Sequence, residues 1–198
     1  MKKQFSPTLI VLGVVGLVIF AIIAWFIGTY NGFIQLRTTA DAGWAQVETQ
    51  YQRRADLIPQ LIATVEGAAN FEKGVLVEVT EARTNWLNTQ ASSTASLDEQ
   101  MAASSAFDSA VSRLLVTVEA YPAITATENF LTLQSQLEGT ENRIAVARKD
   151  YNEIVLPYNT AIALVPGRFV ANLFAFTAYP YFESNEGAES APVVDFNF

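Results

Sequence analysis

Twenty-seven consecutive residues near the start of the chain, Phe5 to Asn31, carry no charged side chain, and they include LIVLGVVGLVIFAIIAWFIG, Leu9–Gly28. A helix rises about 1.5 Å per residue and bilayer hydrocarbon is about 30 Å thick, so about 20 such residues cross it. The run is expected to form a transmembrane helix, residues 8–30, after a short cytoplasmic N-terminus, residues 1–7. Lys2 and Lys3 precede it, whereas Arg37 and Asp41 beyond it cancel. The positive-inside rule then leaves the N-terminus inside and the body outside. A cleaved secretory signal would have a shorter apolar region, about 7–15 residues, and a small-x-small cleavage site. This run is longer and ends in Trp25, Phe26 and Tyr30, so an uncleaved anchor is expected.

Beyond the span, 10 Lys and Arg face 20 Asp and Glu. Such an acidic body repels nucleic acid and anionic headgroups. The chain has no cysteine and no histidine. Disulfides, Cys or His metal sets and Ser-His or Cys-His nucleophile pairs are thereby excluded. Carboxylate, lysine, tyrosine and hydroxyl chemistry remain.

Four long helical patterns follow. The first, about Phe33 to Gly67, places Trp44, Val47, Tyr51, Ile58, Leu61 and Val65 on one face. Arg54 falls on the same spacing, and Pro59 predicts a bend. The second, about Phe71 to Gln90, is expected to be capped by Asn70 and to bury Phe71, Val75, Val79, Ala82 and Trp86. Ser96 with Glu99 forms a capping box for the third, which runs to about Tyr121 with Phe107, Val111, Leu114 and Val118 inward and is stopped by Pro122. Thr125 with Glu128 predicts another box for the fourth. There Phe130, Leu133, Leu137, Thr140, Ile144, Ala147, Tyr151, Ile154, Tyr158, Ala161 and Val165 alternate steps of three and four, a heptad seam. Pro157 predicts a kink. No strand alternation of useful length is present. The expected fold is all-α: a single N-terminal transmembrane helix, then an antiparallel bundle of four long helices filling residues 31–182.

The fourth helix should return towards the bilayer. The segment after it holds Phe169, Phe174, Phe176, Tyr179, Tyr181 and Phe182. These aromatics suit either the headgroup level of the membrane or the open base of the bundle. Residues 183–198 form an acidic tail expected to be flexible.

One polar constellation stands out: Arg53, Arg54 and Asp56 on the first helix with Glu138, Glu141 and Arg143 on the fourth. A half-buried Arg54 requires a counter-charge, with Glu141 the candidate. Such a cluster can fix helix register or recognise an anion; an ion pair holding the bundle or a solvated face explains it more simply. The other carboxylates read as a solvated acidic face. The recurring Trp and Tyr residues continue the apolar stripes, which suits core packing better than a ligand cage. No catalytic residue, metal site or cofactor site is expected.

Several blocks resemble the LemA family: Gly43-Trp-Ala-Gln-Val-Glu-Thr-Gln-Tyr-Gln-Arg-Arg-Ala-Asp-Leu-Ile-Pro-Gln-Leu61, Phe71 to Arg83, Glu128 to Gln134, Thr140 to Arg148, Tyr151-Asn, Tyr158-Asn-Thr-Ala-Ile162 and Leu173-Phe-Ala-Phe. The resemblance implies a bacterial protein with one N-terminal membrane helix and a helical bundle, hence a place in the cell (inner) membrane with the body on the periplasmic side. One branch of that family shapes magnetosome membranes; other members are encoded near membrane metalloproteases. No reaction comes with it. The expected function is that of a non-enzymatic anchored protein that self-assembles and organises or shapes its membrane, with the lipid bilayer and further copies of itself as partners and no nucleic acid. An adaptor or regulator of another membrane protein, such as a protease, is the alternative, and a carboxylate-based enzyme the third reading.

Overall fold

A computed structural model describes residues 7–67 and 71–183. It contains α1 (Pro7–Glu66), α2 (Lys73–Ala91), α3 (Leu97–Val118), the short α4 (Pro122–Thr125), α5 (Glu128–Ala163) and α6 (Gly167–Leu173). No strand occurs among the described residues. The all-α fold with one long apolar N-terminal helix is the architecture expected.

The anchor and the first body helix are one element. α1 runs 60 residues. Gly28 and Gly32 near the junction each weaken a helix by about 1 kcal/mol, too little to break one continued on both sides. An 18-residue window of α1 has a mean hydropathy of 3.0, and none of it is buried within the protein. No other described helix is by itself long and apolar enough to span a membrane. Pro59 does not end α1, and Pro157 does not end α5.

The chain divides into two compact units, 1–48 with 153–179 and 49–152 with 180–198. Both α1 and α5 contribute to each. The second unit holds the four-helix bundle, made from the end of α1, α2, α3 and the first part of α5. Tyr51, Ile58, Leu61, Val65, Val79, Trp86, Phe107, Leu114, Val118 and Ile144 are fully or almost fully buried there. The Trp86 indole stacks between Tyr51 and Phe107, with ring centroids 5.9 and 6.2 Å away. Ser96 and Glu99 form the expected capping box.

Other helix ends depart from the sequence reading. α2 starts at Lys73 rather than Phe71, and its N-cap, Glu72, makes no side-chain cap. Phe71 instead lies buried against Tyr121, centroids 4.9 Å apart. Phe71 and Leu76 occupy the two positions of a hydrophobic staple and both are buried. Asn70 lies outside the described residues. α3 ends at Val118, and Pro122 opens α4. Thr125 donates to the Pro122 carbonyl rather than capping α5; Thr127 accepts from the Phe130 amide instead.

The first unit closes around Phe33, Tyr158, Ile162, Val170 and Ala171. Its part of α5 buries Val155, Tyr158 and Ile162, and the bundle's last seam residue is Tyr151; Ile154 and Ala161 are half-buried and Val165 is exposed. The expected seam drifts by one residue after Tyr151 because a straight helix turns every 3.6 residues, not 3.5. After Ala163 the chain turns by 91° into α6. Gly167 sits at the turn, where a Cβ would lie 2.5 Å from the Ala161 carbonyl oxygen. α6 closes with a Schellman motif: Phe176 N–H donates to the Ala171 carbonyl (3.0 Å) and Ala175 N–H to that of Asn172 (3.4 Å). Ala175 takes the left-handed position, with φ 53°.

Candidate functional site

The bundle buries one charged side chain almost completely. Arg54 is 2% exposed, placed inward because it occupies the core spacing of α1 between Tyr51 and Ile58. It forms ion pairs with Asp108 of α3 and Glu141 of α5. Arg148 of α5 pairs with the other oxygen of Asp108 and donates to the Tyr51 hydroxyl. The Tyr51 hydroxyl in turn donates to Asp108 at 2.8 Å. Burial first, and Asp108 second, push the Tyr51 phenol above the ordinary tyrosine range, so it stays protonated and remains a donor. The faces of its ring and of Phe182 receive cations: Arg54 and Arg148 lie 5.4 and 5.5 Å from the Tyr51 centroid, and Arg148 lies 4.8 Å from that of Phe182.

Two guanidinium groups and two carboxylates make this cluster neutral. A cleft of about 360 Å³ between α3 and α5 opens onto Arg54, Asp108 and Glu141, with Val111, Leu115 and Leu137 in its wall. Asp108 already receives three donors, leaving it poorly placed to act as a base. Among the described residues no group of three or more Asp or Glu side chains is arranged to hold a metal ion.

The six residues singled out in the sequence divide. Arg54 and Glu141 meet directly. Arg53 and Arg143 are exposed to solvent. Asp56 accepts from Gln52, and Glu138 from Gln134, each one helical turn away on its own helix. Asp108 and Arg148 escaped the sequence reading. Arg148 carries the same signal as Arg54, since it falls four residues after Ile144 and three before Tyr151, a spacing that competes with the seam through Ala147. Asp108 carried none, because it follows the inward Phe107 by a single residue.

The aromatic segment separates into two parts. Phe169 and Phe174 are exposed at 69% and 47%. From Thr177 to Phe182 the chain is hydrogen-bonded to α5. In the first unit, Asn159 accepts from the Tyr179 amide (2.9 Å) and donates to its carbonyl (2.8 Å), while the Tyr158 hydroxyl donates to the Thr177 carbonyl (3.0 Å). In the second, Asn152 holds both backbone groups of Phe182 at 2.8 and 2.9 Å, and the Tyr151 hydroxyl donates to the Pro180 carbonyl (3.1 Å). Each Tyr-Asn pair is thus a backbone clamp. Tyr179 also donates to Asp41 and stacks edge-on against Tyr158. Burial and that bond to Asp41 raise its phenol above the ordinary range. Tyr181 is 40% exposed. All but Glu183 of the acidic tail lies outside the described residues.

A model of the LemA family matches residues 43–196. The magnetosome proteins MamQ 1 and MamQ 2 of Paramagnetospirillum magneticum are each 25% identical over 94% of this chain and 75% of their own length. The magnetosome protein MamQ of Magnetospirillum gryphiswaldense is 23% identical over 96% of this chain and 77% of its own. The exposed apolar half of α1 and these relatives agree on a membrane-anchored helical protein.

Proposed function

The chain belongs to the LemA family, and from that footing we propose that it is a non-enzymatic scaffold of the bacterial cell membrane, which self-assembles and organises or shapes the bilayer holding it. Its N-terminus is cytoplasmic and its bundle lies on the periplasmic side, as Lys2 and Lys3 before an otherwise uncharged span favour. The observation that carries the reading is the continuity of α1, which passes from the lipid-exposed span into the bundle core without a loop. The buried polar cluster supports it too: its charges are consumed by one another, which gives the helices a fixed register and leaves no free nucleophile or base. The likeness to relatives named as magnetosome proteins, with the family resemblance to a branch that shapes magnetosome membranes, supports work at a lipid surface.

Chemical cross-linking of the full chain in native membranes, followed by sizing in mild detergent, tests self-assembly. A ladder of homo-oligomers is expected. A strict monomer at every concentration, particularly one recovered stoichiometrically with a different membrane protein, would overturn the scaffold reading in favour of an adaptor. Orientation is read separately. The chain has no native cysteine, so Val146→Cys should react with a membrane-impermeant thiol reagent added outside intact spheroplasts.

A further inference from the structure

We propose that Leu164–Phe174, with α6 at its centre, is a second lipid contact lying in the headgroup region of the same bilayer that α1 crosses. This rests on α1 being a membrane span and adds a second, non-spanning element to it. Val165, Phe169 and Leu173 follow one another at steps of four, so the last two share the outer face of α6; the three are 70%, 69% and 68% exposed. Val170 and Ala171 on the opposite face are buried. The helix therefore departs from a solvated one: beside the exposed Arg168 and Asn172, its outward side presents the large apolar Phe169 and Leu173.

Its level along the span is fixed by ring contacts within the same unit. The Phe174 centroid lies 5.7 Å from that of Phe26 and 4.7 Å from that of Tyr30. Those two residues sit where the uncharged run of α1 ends, beside Trp25, at the depth aromatic side chains favour. The end of α5 runs antiparallel to α1, with Ile162 in one cluster with Phe33 and Tyr158 near Arg37 and Asp41. A 91° turn then lays α6 across that direction, along the bilayer plane. Phe26, which Phe174 touches, lies about one turn beyond the exposed Ile22 and Ile23 of the span and next to the exposed Trp25, so the occupant is lipid. Arg168, exposed at the start of α6, can extend its head to phosphate while its stem stays with the apolar face.

The test uses the full chain reconstituted in phosphatidylcholine vesicles, with spin labels on single cysteines and collision with oxygen compared against a water-soluble nickel chelate. Phe169→Cys and Leu173→Cys report on α6, Phe20→Cys on the span, and Val146→Cys on a solvated helix face. The expected result is an oxygen-to-nickel ratio at 169 and 173 that falls between that at 20 and that at 146 and is clearly above the latter. A ratio at 169 and 173 equal to that at 146, with 20 still favouring oxygen, overturns the inference and leaves the anchor standing. Exclusion of both reagents at 169 and 173 also overturns it, since a second protein surface then covers the face. Nickel access at 20 removes the anchor itself, and the inference with it.

Discussion

Asp108 holds two guanidinium groups and a phenol, so its charge matters more than its modest size suggests. Asp108→Asn leaves the buried Arg54 with only the peripheral Glu141, and breaking a buried pair costs about 3–5 kcal/mol. Glu141, 61% exposed, keeps its water; Glu141→Gln should cost about 0–1 kcal/mol. Thermal melting of both variants in detergent checks the order, and a larger loss for Glu141→Gln would reject Asp108 as the centre of the cluster. Tyr51 adds a pH dependence. Its phenol binds a proton more tightly in the folded state than an ordinary tyrosine, which titrates at 10.0. The stabilisation is fully present below that unfolded pKa and is lost as pH climbs through it towards the folded one. Melting temperature should fall steeply with alkalinity in that window, and Tyr51→Phe should flatten the fall. Periodicity revealed Arg54 because a charge on an apolar stripe is conspicuous within its own helix. It could not reveal Asp108, whose role depends on which way α3 faces its neighbours, a tertiary fact with no local trace.

At the scale of elements, the sequence was clearest where a side chain acts on its own backbone. Ser96 and Glu99 form a capping box because both partners sit within one turn. Thr125 and Glu128 have the same spacing, yet Pro122 draws Thr125 into a separate short helix and Thr127 takes over the cap. The close of α6 was illegible for a different reason: Ala175 occupies a left-handed position that glycine usually fills. A non-glycine residue there costs about 1–2 kcal/mol, partly offset by glycine's greater freedom in the unfolded chain. Ala175→Gly should therefore raise stability by about 0.5–1 kcal/mol. Gly167→Ala should act oppositely, since its Cβ would meet backbone, and overpacking costs about 1–3 kcal/mol. Denaturant titration of the two variants reads both signs. The Tyr-Asn clamps make a sharper claim. Asn159→Ala removes two hydrogen bonds of about 1 kcal/mol each, and amide exchange around Tyr179 should accelerate while α3 remains protected. Unchanged exchange there would show that packing, rather than the clamp, holds the segment.

For the molecule as a whole, periodicity treats residues 31–182 as a single bundle, because one seam on α5 runs through nearly all of it. The boundary between the two compact units falls within that seam, at Asn152 and Glu153, and within α1 at Glu48 and Thr49. Heptad spacing records that a helix has a partner and is silent on where the partner changes. Most of the span lies outside the core: Thr8 to Trp25 are exposed throughout, whereas Phe26 and Tyr30 at its end pack against the first unit's core. Removing residues 1–24 should then leave the helical content and melting temperature of the remainder almost unchanged, while retention in the membrane fraction is lost. Removing residues 1–34 takes Phe26, Tyr30 and the buried Phe33 as well; losing a buried aromatic costs about 3–5 kcal/mol, and the first unit should melt early. Circular dichroism of the two truncations, alongside the full chain in the same detergent, separates the roles along α1. Equal melting of both would mean that the first unit does not depend on its aromatic contacts with α1. A large loss already at residue 24 would mean that the lipid-facing half of α1 also holds the fold together.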